Sequence, residues 1–139
     1  MRTLLSSIFI IALVLSMFSC KKETVFKSRT ELLTQKRWIQ TYGEIGIRGV
    51  YTSDWADYKP CKKDDNTTLK VDKTYQMSEG PTKCNPNDPD VYDTGTWEFS
   101  ANESKITIGR NLYNIKTLDE NKMVLVYDGF TTYRLTYGH

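Results

Sequence analysis

The chain has 139 residues, a formal net charge of +2, nine tyrosines, three tryptophans and 12% aromatic residues overall. That length is the size of one domain, and the aromatic-rich composition favours strands over a helical bundle. Lysines and arginines are interleaved with acids throughout, so the dense basic stripe that a phosphate backbone requires is missing and nucleic acid is excluded as a partner.

Met1-Arg2 gives a positive start, and Leu4 to Phe18 is uncharged, with the apolar run Ile8-Phe9-Ile10-Ile11-Ala12-Leu13-Val14-Leu15. The stretch is short of the roughly 20 apolar residues of a membrane-crossing helix, and it reads as a removable export signal over residues 1–19. Met17-Phe18-Ser19-Cys20 ahead of Lys21-Lys22-Glu23 looks like a bacterial lipobox, with Ser19 before the cut and Cys20 as the thiol that receives the diacylglyceryl group. Cleavage removes Arg2 and leaves a charge of about +1. The expectation is a lipoprotein of the cell envelope, in the outer membrane, held to the bilayer through Cys20. The other reading is an ordinary signal peptide with Cys20 merely nearby. Cysteine arithmetic weighs against it, because three cysteines in an exported chain leave one over, whereas lipidating Cys20 leaves Cys61 and Cys84 as a pair. A disulfide there would contribute about 3 kcal/mol in the chain-entropy model. Two free thiols, or half of a metal site without its remaining ligands, are the alternatives.

Residues 20–28 form a polar tether and residues 29–139 the domain. Ser28 and Glu31 make a capping box, so a short helix starts there and stops near Gln35. A first strand is predicted from Arg37 to Tyr42, followed by a long connection from Gly43 to Lys63 with one irregular edge strand. Leu69 and Val71, then Tyr75 and Met77, alternate with polar residues around a turn at Asp72-Lys73, which predicts a hairpin. Gly80 to Tyr92, with three prolines, is read as an exposed loop. Thr96 to Phe99, Lys105 to Ile108, Tyr113 to Ile115 and Met123 to Tyr127 follow as strands. Asp128-Gly129 is a hairpin signal, and the last strand carries Tyr133, Leu135 and Tyr137 on one face with Arg134 and Thr136 on the other. The result is an all-β fold, an eight-stranded antiparallel meander barrel with a short N-terminal helix; closure removes exposed edges.

From Leu32 to Tyr137 the chain resembles the lipocalin-like domains of Bacteroidetes lipoproteins. The short helix with Trp38, Cys61-Lys62-Lys63-Asp64-Asp65 ahead of a strand, Cys84 in the loop and Gly95-Thr96-Trp97, in that order, carry the resemblance. It departs from typical lipocalins at Lys36, where they have a glycine. The resemblance implies a calycin-type barrel, with Trp38 closing one end and Arg134 stacked over its ring, a contact of about 1 kcal/mol.

An eight-stranded barrel is either filled by side chains or just holds one small ligand. Tyr75, Met77, Trp97, Phe99, Tyr113, Ile115, Leu125 and Tyr133 face inward, as core or as the lining of an apolar pocket. The tyrosines favour a pocket, since each buried hydroxyl needs a partner. The loop Asn85, Asn87, Asp88, Asp90, Asp93 offers oxygen ligands for calcium but does not fit an EF-hand, and a solvated turn explains it equally. Asp64 and Asp65 also read as a solvated turn. No metal site and no cofactor is expected. The only histidine is His139, and no nucleophile elbow or phosphate loop occurs, so the chain is not expected to be an enzyme. Two classes remain: a module binding a small apolar or amphipathic ligand, and an interaction protein, inhibitor or accessory subunit of an envelope complex, with a filled barrel and an exposed patch at Tyr51, Trp55 and Tyr58.

Overall fold

A computed structural model describes residues 26–139; the expected signal at residues 1–19, Cys20 and residues 21–25 of the tether lie outside the described residues. The first element is α1 (Arg29–Thr34), and its start follows from two reciprocal bonds. Ser28 Oγ accepts from the Glu31 amide at 3.2 Å, and the Glu31 carboxylate accepts from the Ser28 amide at 2.6 Å. These satisfy donors that a helix N-terminus would otherwise leave open. The bonds from Ser28, backbone first, hold the Glu31 carboxyl below its ordinary value.

Nine antiparallel strands follow: β1 (Trp38–Ile47), β2 (Val50–Ser53), β3 (Asn66–Leu69), β4 (Thr74–Ser78), β5 (Val91–Phe99), β6 (Lys105–Ile108), β7 (Asn111–Leu118), β8 (Met123–Asp128) and β9 (Thr132–Gly138). They form one sheet in the order β2-β1-β3-β4-β5-β6-β7-β8-β9, and β1 also pairs with β9, which closes the ring. The ring itself is β1 and β3 to β9, the eight strands expected. The ninth, β2, folds back onto the edge of β1 that also carries β3. That edge is shared unequally: β1 meets β3 at only two positions, Trp38↔Thr67 and Ile39↔Asn66, whereas its other edge pairs with β9 at seven.

Three boundaries differ from the sequence expectation. The first strand does not end at Tyr42 but continues to Ile47 and turns at Arg48-Gly49, where φ is +52° and +82°, the geometry that suits hairpin twist. Gly43 and Gly46 do not interrupt it, because Gly46 lies opposite Tyr51 and a Cβ there would stand 2.8 Å from that ring. Val71 is not a strand residue: it is 73% exposed in the turn, since Asp72 Oδ1 accepts from both the amide and the hydroxyl of Thr74 and closes the turn around it. The loop after β4 is shorter than expected, because β5 begins at Val91, which pairs with Ser78.

Side chains alternate across each strand, and one inward set makes a core of Leu33, Trp38, Leu69, Tyr75, Trp97, Ile106, Ile108, Met123 and Leu125. Burying each large apolar side chain contributes roughly 1.5–3 kcal/mol. Helix α1 covers this end. The Trp38 indole N–H donates to the Leu33 carbonyl at 2.9 Å, Lys27 pairs with Glu120 in the β7–β8 turn, and Arg29 lies near Glu103 in the β5–β6 turn. Trp97 is held the same way, its indole N–H donating to Lys70 O at 2.9 Å while the Lys73 ammonium sits 3.9 Å from its ring centroid. This end is a filled floor.

Candidate functional site: a tyrosine-lined mouth

The opposite end is not filled. Period-two alternation turns Tyr113 on β7, Tyr127 on β8 and Tyr133 on β9 inward, and the register sets Tyr113 opposite Tyr127 and Tyr127 opposite Tyr133. Their rings tilt against one another, with centroids 5.8 Å apart at 57° for the first pair and 6.5 Å apart at 39° for the second. With Asn111, Leu135 and Tyr58 they line a wide-open hollow of about 300 Å³, with Tyr133 36% exposed at its edge. Tyr58 comes from outside the regular strands. It lies between two short 3-10 turns, Trp55–Asp57 and Pro60–Lys62, in the segment joining β2 to β3.

Two further cavities adjoin the first. One of about 270 Å³ shares Tyr58 and is walled by Gln40, Lys59, Lys62, Asp65, Thr67, Met77, Tyr92 and Tyr137. Another of about 500 Å³ shares Asn111 with the first and Met77 with the second, and includes Tyr75 and Asp93. Tyr75 reaches from the core towards this last space, donating its hydroxyl to Asp93 Oδ2 at 2.9 Å. Burial, then this bond, push the Tyr75 hydroxyl above its ordinary value.

The wall between the two long loops carries the charge. Lys62 Nζ lies 2.7 Å from Glu79 Oε1 and 3.2 Å from Asp65 Oδ2, with the Tyr92 ring centroid at 4.8 Å. The Glu79 side chain is only 3% exposed, and its second oxygen has no partner. The hydrogen bond to Glu79 raises the Lys62 ammonium well above its ordinary value. The Tyr92 hydroxyl, partly buried and beside Asp65, is pushed up to about 12. Burial raises Tyr113 and Tyr137 as well.

Cys61 and Cys84 are bonded, with Cα atoms 5.1 Å apart, and tie the β2–β3 segment to the β4–β5 loop. Asp64 and Asp65 are not a solvated turn, since Asp64 Oδ2 accepts from the Thr82 amide at 2.9 Å and Asp65 Oδ1 from the Gly80 amide at 3.4 Å. The acids offered for calcium diverge: Asp90 pairs with Lys83 in the β4–β5 loop, while Asp93, within β5, bonds Tyr75. No group of three metal-ligating side chains forms among the described residues.

The eight inward candidates divide between floor and mouth. Tyr75, Trp97 and Leu125 belong to the buried core, and Phe99 and Ile115 pack against it. Met77, Tyr113 and Tyr133 line cavities, as Tyr75 also does. The expected stack of Arg134 over Trp38 is absent. Arg134 lies opposite Glu44 in the β1–β9 register and on the outer face, where its guanidinium sits 3.6 Å from the Tyr51 ring centroid and 3.1 Å from Glu44 Oε2. Trp38 faces inward and meets His139 instead, at 4.1 Å between ring centroids. The barrel wall separates the two. Tyr51, Trp55 and Tyr58 likewise do not make an exposed patch: Arg134 covers Tyr51, Trp55 and Tyr58 pack together at 5.0 Å, and Tyr58 lines two cavities. Tyr127 and Tyr137 were missed as lining residues although period two places them with Leu125 and Tyr133. Tyr58 sits in an irregular segment and leaves no periodic signal.

A family model described as a lipocalin-like domain matches residues 34–125. No curated protein matches the chain.

Proposed function

Because the chain belongs to the lipocalin-like domain family, we propose that it is a membrane-anchored lipoprotein of the cell envelope whose barrel takes up a small apolar or amphipathic molecule at its open end. The observation that carries this reading is the cavity of about 300 Å³ walled by four tyrosines and Leu135, at the lower end of the size range of small-molecule sites. Aromatic faces and Leu135 supply the apolar contact, and Asn111 with the phenol hydroxyls supplies polar points that orient a ligand.

The role is binding, not catalysis. His139, the single histidine, packs on Trp38 at the floor, donates from Nδ1 to Arg37 O at 2.7 Å and lines none of the three cavities. The described chain also begins at the floor, where Lys27 pairs with Glu120. A tether from an acylated Cys20 would therefore join the barrel at its floor end.

The rim favours a second reading, docking onto an envelope protein. Ile47 and Val50 are 68% and 69% exposed, and Phe130 stands fully free on the adjacent β8–β9 turn. Native mass spectrometry of the unlipidated protein purified from its host separates the two. A reproducible small-molecule adduct supports uptake; a clean apo mass with a co-purifying protein supports docking and overturns uptake.

A further inference from the structure

We propose that the mouth selects an alkylated ammonium group, so that the amphiphile it holds has a cationic head caged by Tyr58, Tyr113, Tyr127 and Tyr133. This rests on the ligand-binding reading and specifies its head group.

The argument begins with the rings. An aromatic face carries the negative side of a quadrupole and attracts a cation lying within about 6 Å of its centroid. Across the described residues the protein places its own cations on such faces: Arg134 over Tyr51 at 3.6 Å, Lys73 over Trp97 at 3.9 Å, Lys62 over Tyr92 at 4.8 Å and Lys63 over Trp55 at 5.0 Å. The four caging tyrosines have no such cation among the described residues, and neither Lys nor Arg lines their cavity. Other rings, Trp38 and Tyr137 among them, also lack a cation; these four are set apart by lining one open cavity together.

Geometry agrees. Tilts of 57° and 39° between neighbouring rings keep them from stacking face to face. Tyr58 adds a wall from the loop, and about 300 Å³ leaves room for a head group and the first carbons of a tail.

The chemistry of the lining decides which cation. No carboxylate borders this cavity, so attraction comes from ring faces and not from an ion pair. A primary ammonium gives up strong hydration and needs several acceptors in return. A quaternary one spreads its charge over methyl groups, makes no hydrogen-bond demand and packs against Leu135 as well as against rings.

The test uses the barrel from Phe26 onward, which contains every strand of the ring and its whole core. Decyltrimethylammonium, decyl sulfate and decyl maltoside are titrated below their micelle-forming concentrations by calorimetry. The expected result is binding of the ammonium compound at least about tenfold tighter than either of the others. Tyr127→Leu should weaken it by roughly two- to thirtyfold, while Tyr127→Phe, which keeps the ring, leaves it unchanged. Equal affinity for the sulfate or the maltoside overturns the proposal and leaves ligand uptake standing, as does a Tyr127→Leu variant that binds the ammonium compound normally. Binding of none of the three overturns the proposal as well. Should Tyr127→Leu fail to fold, the comparison of head groups on the unaltered protein decides alone.

Discussion

Trp38 donates its indole N–H to the carbonyl of Leu33 at 2.9 Å, and neither side chain has any exposed surface. One bond therefore ties the end of α1 to the first residue of β1 and satisfies a carbonyl that the helix terminus would leave open. Trp38→Ala should cost about 3–5 kcal/mol through the void it leaves. Trp38→Phe keeps a ring but orphans the Leu33 carbonyl, at about 1–3 kcal/mol. Urea unfolding midpoints measure both; a Phe variant as stable as the parent would mean that the bond is dispensable.

Reduction of Cys61–Cys84 should lower stability by about 3 kcal/mol, since the bridge spans 23 residues. Its effect should concentrate at the mouth, because it joins the segment bearing Tyr58 to the loop leading into Tyr92. Unfolding of the Cys61→Ser, Cys84→Ser double variant checks the magnitude, and amide exchange in residues 54–65 checks the location.

Alkali should unfold the protein in a defined window. Tyr92, Tyr113, Tyr137 and Lys62 all hold their protons more tightly in the folded chain. Above about pH 10 the unfolded chain releases protons that the folded one keeps. The contribution of these groups is thus complete below that pH and is lost as pH rises through the folded values, about 12 for Tyr92. Phenolate absorbance should show a fraction of the tyrosines titrating late, and urea-unfolded protein should lose that fraction. A single transition near the ordinary tyrosine value would contradict this.

Gly95→Val should damage the third cavity more than the fold. A Cβ at Gly95 would stand 2.8 Å from the Tyr75 ring, so the ring must move and its bond to Asp93 lengthens. Overpacking of this kind costs about 1–3 kcal/mol. The Tyr75→Phe variant removes the hydroxyl without the clash, and a comparison of the two melting curves separates the effects.

Arg134 and Tyr51 should be coupled. A double-mutant cycle with Arg134→Ala and Tyr51→Ala should give about 0.5–2 kcal/mol of interaction, whereas pairing Arg134→Ala with Trp38→Phe should give additivity.

Much of this barrel is legible because its strands announce themselves by alternation and its turns by Asp-Gly and Asp-Lys pairs. Ser28 and Glu31 marked the helix, and Tyr113 and Tyr133 were identified as inward. What escaped depends on partners distant in sequence. Gly43 and Gly46 read as interruptions because the strand's tolerance of them is set by Tyr51 across the hairpin. Arg134 was assigned to Trp38 although alternation puts them on opposite faces of the wall. Tyr58 and Glu79 owe their positions to a disulfide and a buried ion pair between loops, which no local pattern encodes.

The two-rung junction of β1 with β3 gives the hoop a weakest weld. Every other joint in the circle carries at least three rungs. Thermal breathing will part the hoop there before anywhere else. Thr67, on that weld, and Gln40, one residue past it, also line the second cavity. Parting that weld loosens the floor as well, because Trp38 and Thr67 form one of its two rungs.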